Sequence, residues 1–147
     1  MTPFTRLFLL FGWIVSASSI SRADVLVSLD AKDEPVENGK LLRMEFRELK
    51  RTGNESTVRV TFHSGGSVSS SMFFVRGGCA VAKSRGMTFF LDTASSEIDE
   101  HTTEYTLAFS NSLNDAAFKR PPKGDGPADE EVHVWDIGEC RMLGFLQ

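Results

Sequence analysis

Three histidines, two cysteines and many serines and acids are the residues of this chain that could do chemistry. His63, His101 and His133 are its only imidazoles. A catalytic zinc site takes three protein ligands and an open position, and sequences that build one often carry a close pair such as His-x-x-x-His on a helix. These histidines stand 38 and 32 residues apart, so independent positions on the surface or at strand edges are expected. No Gly-x-Ser-x-Gly elbow is present among the serines, and Ser64-Gly65-Gly66-Ser67 reads as a linker between two elements. Acids gather in residues 30–37, 97–104 and 129–131. None of these clusters has the spacing of a calcium loop, and solvated loop charge explains them. No catalytic, cofactor-binding or metal-binding residue is assigned, and no cofactor is expected.

Cys79 and Cys140 are the only cysteines. Cys79 as a nucleophile would need a nearby imidazole and a depressed thiol pKa; pairing with Cys140 would remove that chemistry. Closing so long a loop would stabilise the fold by roughly 4 kcal/mol through chain entropy. Asn54-Glu55-Ser56 is a glycosylation sequon that matters only in a eukaryotic host. Trp135, with Phe118 and Pro121-Pro122 near it in sequence, could present an aromatic binding surface, although a core position is the preferred expectation for a lone strand tryptophan.

The cysteine pair agrees with the start of the chain. Arg6 supplies a positive n-region, residues 7–15 form an apolar core, and Ser21-Arg22-Ala23 has small residues where signal peptidase reads them. That is the pattern of a secretory signal peptide cleaved after Ala23, and the apolar run falls short of the about 20 residues a membrane span requires. Residues 24–147 then form a single exported globular domain, periplasmic or secreted, in a compartment that favours disulfides. The leader takes two arginines and no acid with it, so the mature net charge moves from −4 to −6. Such a balance disfavours a nucleic-acid partner and docking on anionic lipid. A hydrophobic content of 41% with 12 Phe is enough for a packed core. No lipid-attachment cysteine lies at the expected mature N-terminus, so no stable membrane insertion is expected once the leader is removed.

Elements that must hold these residues follow from periodicity. Val25, Val27 and Leu29 alternate and predict a first strand over residues 24–29, followed by a polar turn through Asn38-Gly39. Residues 40–50 fit both periods, but flanking turn signals favour a strand. Val58, Val60 and Phe62 alternate with Thr57, Arg59 and Thr61 in the clearest strand of the chain. The segment from Ser69 to Gly86 reads as a helix, with Ser69–Ser71 offering N-cap hydroxyls, Met72, Val75, Cys79, Ala82 and Lys83 on one face, and Gly86 as the left-handed terminator. Gly77-Gly78 costs about 2 kcal/mol in helix propensity, which implies a packing reason: the pair lets the helix sit close to a sheet. The same glycines could instead turn a hairpin. Residues 87–92 read as a buried strand, 95–102 as a loop, 103–109 as a strand with Tyr105, Leu107 and Phe109 inward, and 131–137 as the last strand. The loop around 120–127 is too rich in proline and glycine to join a helix or a central strand.

The run from Thr57 to Asp92 resembles small bacterial envelope proteins and lipoproteins of uncharacterised function. The likeness lies in the strand Val58-Arg59-Val60-Thr61-Phe62, the helix run Arg76-Gly77-Gly78-Cys79-Ala80, the Gly86-Met87-Thr88-Phe89-Phe90 start of an aromatic strand, and the closing Val134-Trp135-Asp136. The resemblance implies a helix packed on an antiparallel sheet and implies no activity. The expected fold is therefore α+β, an antiparallel sheet of five or six strands with one helix and a disulfide tying that helix to the last strand. An all-β sandwich is the alternative. The expected function is non-catalytic binding of a partner or ligand in the cell envelope, with a small secreted hydrolase or metal-dependent enzyme as the alternative.

Overall fold

The computed structural model describes residues 25–119 and 132–147. The expected leader, the proline-rich loop and the acids at 129–131 lie outside the described residues. Six strands form one antiparallel sheet: β1 (Ser28–Pro35), β2 (Leu41–Thr52), β3 (Glu55–Ser64), β4 (Phe89–Asp99), β5 (Thr102–Ser110) and β6 (Trp135–Asp136). Their spatial order is β1-β2-β3-β5-β4-β6. Helix α1 (Ser67–Arg85) connects β3 to β4 across one face, and the short α2 (Ile137–Met142) follows β6. This is the α+β arrangement, and the sandwich alternative falls because Gly77-Gly78 lies inside α1.

Alternation decides the faces. Leu42, Met44, Phe46, Val58 and Val60 are buried on the helix side together with Phe90, Leu107 and Phe109. The opposite face of β1–β3 and β5 carries cross-strand ion pairs instead, Arg47 with Asp30 at 2.7 Å and Arg59 with Glu104 at 2.6 Å. A second, small cluster of Leu91, Ala108 and Phe118 covers that outer face beside β4.

Several boundaries differ from the sequence reading. β1 starts at Ser28 and runs through the acidic stretch to Pro35, with its irregularity at Asp33 (φ 55°). The polar residues 95–99 continue β4 into a hairpin with β5 instead of forming a loop; they carry no apolar alternation because that part of the strand is exposed. The last strand shrinks to Trp135–Asp136, because Asp136 and Glu139 form a capping box that opens α2 at Ile137. Helix α1 begins two residues before the serines, with Gly66 as N-cap and Ser69 returning a bond to the Gly66 N–H at 3.1 Å. Lys83 is exposed, and the buried face instead includes Phe73, Gly77, Gly78 and Val81. Gly86 ends the helix at φ 66°, as expected of a left-handed cap.

Cys79 and Cys140 are fully buried and bonded, so the disulfide ties α1 to α2 rather than to the last strand itself. A Cβ on Gly77 would clash with the ring of Phe46, and one on Gly78 with the ring of Phe90, each under 3.0 Å from the nearest ring atom. The two glycines therefore place the helix backbone directly on two core phenylalanines, which is the packing reason that their cost in propensity implies.

Two outcomes follow. Gly77→Ala and Gly78→Ala gain helix propensity of about 1 kcal/mol, yet overpacking should make each variant about 1–3 kcal/mol less stable in urea unfolding. Phe46→Leu should recover part of the Gly77→Ala loss; independent, additive effects would show that the ring contact is not the cause. Reduction of the disulfide, which spans 61 residues, should lower stability by about 4 kcal/mol, read as the shift in urea midpoint with and without reductant.

Candidate functional site

Helix α1 does not cover the sheet evenly. Its second half rests on Phe46 and Phe90 through the glycines, while beneath its first half a cleft of about 350 Å³ stays open. Met44, Val60 and Phe62 supply one side of the floor, Thr103 and Tyr105 of β5 its centre, and Asp92 and Trp135 the far side. Ser70, Ser71, Phe74 and Val75 form the roof, and His101 stands at the β4–β5 turn. The register explains the convergence. Phe90 pairs with both Phe109 and Trp135, which puts the tryptophan on the helix side of the sheet, and Tyr105 is carried there opposite Val58. The Phe62 N–H donates to the His101 carbonyl at 2.8 Å and holds the turn against β3.

Phe74 separates the cleft from the core. Its ring lies 4.6 Å from that of Tyr105 and 6.2 Å from that of Phe46, tilted in both contacts. Phe62 keeps 36% of its surface exposed and Tyr105 and Trp135 are half-buried, so aromatic faces meet solvent here. At the rim, the Ser70 hydroxyl bonds back to the Gly66 carbonyl at 2.8 Å and the Ser71 hydroxyl to the Ser67 carbonyl at 2.9 Å. Such back-bonding is a common helical habit of serine, and it leaves both oxygens as acceptors.

The histidines engage three different carboxylates. His63 lies 3.8 Å from Glu45 on the outer face, His101 lies 3.2 Å from Glu100, and His133 lies 3.2 Å from Glu139 with its ring edge-on to Trp135. Among the described residues no group of three His, Cys, Asp or Glu is placed to hold a metal ion. Phe118 sits in the outer cluster and Trp135 on the inner face, so the two do not form the joint aromatic surface considered from sequence. Pro121-Pro122 lies outside the described residues. Asn54 is exposed in the β2–β3 turn, but Ser56 of the sequon is buried.

One charged site went unrecognised in the sequence. Glu48 follows Leu42, Met44 and Phe46 on the inward parity of β2 and is buried with them. Its carboxylate accepts from Arg51 at 2.7 and 2.9 Å, from the Ser56 hydroxyl at 2.8 Å and from the Val27 N–H at 2.9 Å. The Glu48 N–H in turn donates to the Val27 carbonyl at 2.8 Å, and Arg51 reaches Ser84 of α1 at 2.8 Å. Burial pushes the Glu48 pKa up, but the bonds from Arg51, Val27 and Ser56 and the charge of Arg51 outweigh it and hold the carboxyl below its ordinary value. Asp99 and Asp115 are also lowered, chiefly by the backbone N–H groups of His101 and Ala117. Those bonds close turns, and they mark neither carboxylate as an acid or base.

Among the described residues no helix is long and apolar enough to cross a membrane. Compared with known proteins, the chain matches no family model, no curated protein and no solved structure. The cleft must therefore be read from its own chemistry.

A depressed carboxyl pKa contributes stability above the ordinary glutamate range, and that contribution disappears as the pH falls through the folded-state value. The urea midpoint of the wild type should therefore drop on acidification below the ordinary carboxylate range, and Glu48→Gln should flatten that limb. Glu48→Ala leaves Arg51 facing a buried gap and should cost about 3 kcal/mol, the low end for a broken buried pair, because 12% of the Arg51 side chain still reaches solvent. An unchanged acid limb in Glu48→Gln would assign the acid sensitivity to other groups.

Proposed function

We propose that this chain is an exported, non-catalytic binding protein of the periplasm or the extracellular space. Its ligand site is the cleft under the first half of α1. The observation that carries this reading is the set of aromatic side chains left uncovered beneath the helix, with a few polar groups set among them in the floor and at the rim. A cavity of about 350 Å³ falls within the range of small-molecule sites, and a mostly apolar wall with a few convergent polar atoms is their usual composition. Export is supported by the leader pattern, by the resemblance of residues 57–92 to envelope proteins, and by the pairing of both cysteines. Catalysis by the histidines has less support, since among the described residues the three stand beside different carboxylates and are not brought together.

Trp135 is the only tryptophan of residues 24–147, so its fluorescence reports on the cleft. Protein recovered from the native exported fraction should begin at Asp24 and release a bound small molecule on denaturation. Adding that molecule back should change Trp135 emission. Ser70→Phe, which places a ring in the cleft, should weaken rebinding at least tenfold while the urea midpoint stays put. Equal rebinding by Ser70→Phe would place the ligand elsewhere and sink the cleft reading.

A further inference from the structure

We infer that the cleft takes an uncharged aromatic compound bearing a neutral acceptor oxygen; the inference rests on the cleft being a ligand site. Charge balance is the first argument. Among the described residues the lining contains no lysine or arginine, and its one carboxylate, Asp92, already has an interaction partner. His101 at the mouth stands 3.2 Å from Glu100. A cationic or anionic ligand would give up its hydration here without meeting an unpaired opposite charge, a cost that an uncharged ligand avoids.

The hydrogen-bonding groups of the floor are the second argument. Thr103 and Tyr105 lie two positions apart on β5 and share its inward face. Each brings a hydroxyl, and Trp135 brings an indole N–H that can only donate. None of these three side chains makes a hydrogen bond within the described residues. The Ser70 and Ser71 hydroxyls differ, since their hydrogens already go to the Gly66 and Ser67 carbonyls. One acceptor oxygen on the ligand meets the floor donors. A saccharide, with a hydroxyl on nearly every carbon, would bury polar groups that Met44, Val60 and Val75 leave unmet.

Ring chemistry is the third argument. Phe74 is taken up by contacts with Tyr105 and Phe46, whereas Phe62 keeps 36% of its surface exposed and Trp135 is half-buried. Phe62 on β3 and Trp135 on β6 stand to either side of β5 and β4. An aromatic ring lodged among them gains stacked or edge-on contacts that an aliphatic chain of the same size lacks.

Equilibrium dialysis of the intact exported chain tests this with benzylacetone, a phenyl ring carrying a ketone. It should bind about tenfold more tightly than phenylbutylammonium or phenylbutyrate, which put a charge on a similar body. Methyl hexyl ketone, with the carbonyl but no ring, should bind about threefold more weakly than benzylacetone. The double variant Tyr105→Phe, Thr103→Val should weaken benzylacetone about tenfold and leave butylbenzene, which has no oxygen, unchanged. Maltose, a charged analogue or methyl hexyl ketone bound as tightly as benzylacetone would overturn the assignment and leave the cleft standing. Equal loss of benzylacetone and butylbenzene in the double variant, or loss of neither, would overturn the acceptor oxygen. Undiminished benzylacetone binding by Ser70→Phe, or no binding of any probe by the wild type, would overturn both the assignment and the cleft.

Discussion

The contact on which the rest of this structure depends is the seating of Gly77 and Gly78 on the rings of Phe46 and Phe90. No side chain intervenes there, so the helix backbone approaches the sheet as closely as two phenylalanine rings allow. Close approach buries Cys79, Val81 and Ala82 in the next turn and brings Cys79 within bonding reach of Cys140. Helix propensity alone would place alanine at both positions. The sheet beneath accepts only glycine.

The tightest cross-links of the fold gather in the second half of α1. The disulfide joins its middle to α2, and the Glu48–Arg51 knot links its last turn, through Ser84, to β2 and to the residues leading into β1. Arg85 stacks over Phe109 and reaches the β2–β3 turn. At the other end, Phe73 and Phe74 replace glycine as the side chains between helix and sheet, and serines replace apolar residues at the roof. A helix held tightly at one end and spaced by bulky rings at the other leaves a wedge beneath its first half. The cleft is the geometric consequence of putting small residues late and large ones early in α1.

Much of this was legible in the chain. The alternation of Val58, Val60 and Phe62 gave β3, Gly86 gave the helix end, and the cost of Gly77-Gly78 implied the close packing that the rings of Phe46 and Phe90 supply. Where reading by periodicity failed, the physical signal was of another kind. Residues 95–99 are strand without an apolar face, because their pairing with β5 supplies the hydrogen bonds while both surfaces stay wet. Asp136-Ile137-Gly138-Glu139 is a capping box that outranks the strand reading of residues 131–137. Glu48 was concealed by its charge, although its parity with Leu42, Met44 and Phe46 placed it inward. The cleft had no signal at all, since its walls come from five strands and a helix whose residues are scattered from Met44 to Trp135.

Glu48 and the cleft lie at opposite ends of one sheet face, one closed by hydrogen bonds and the other open. A buried carboxylate is tolerable only when its lone pairs are met, and Glu48 meets them with a guanidinium, a hydroxyl and a backbone N–H from three separate segments. That convergence closes the end of the face that lies under the locked half of α1. Beneath the unlocked half, Ser70 and Ser71 line the cleft while their hydroxyls bond back to the Gly66 and Ser67 carbonyls. Serine at these two positions contributes little to packing and is an indifferent helix former. Each hydroxyl instead adds a donor to the carbonyl one turn earlier, which a leucine or an alanine could not provide.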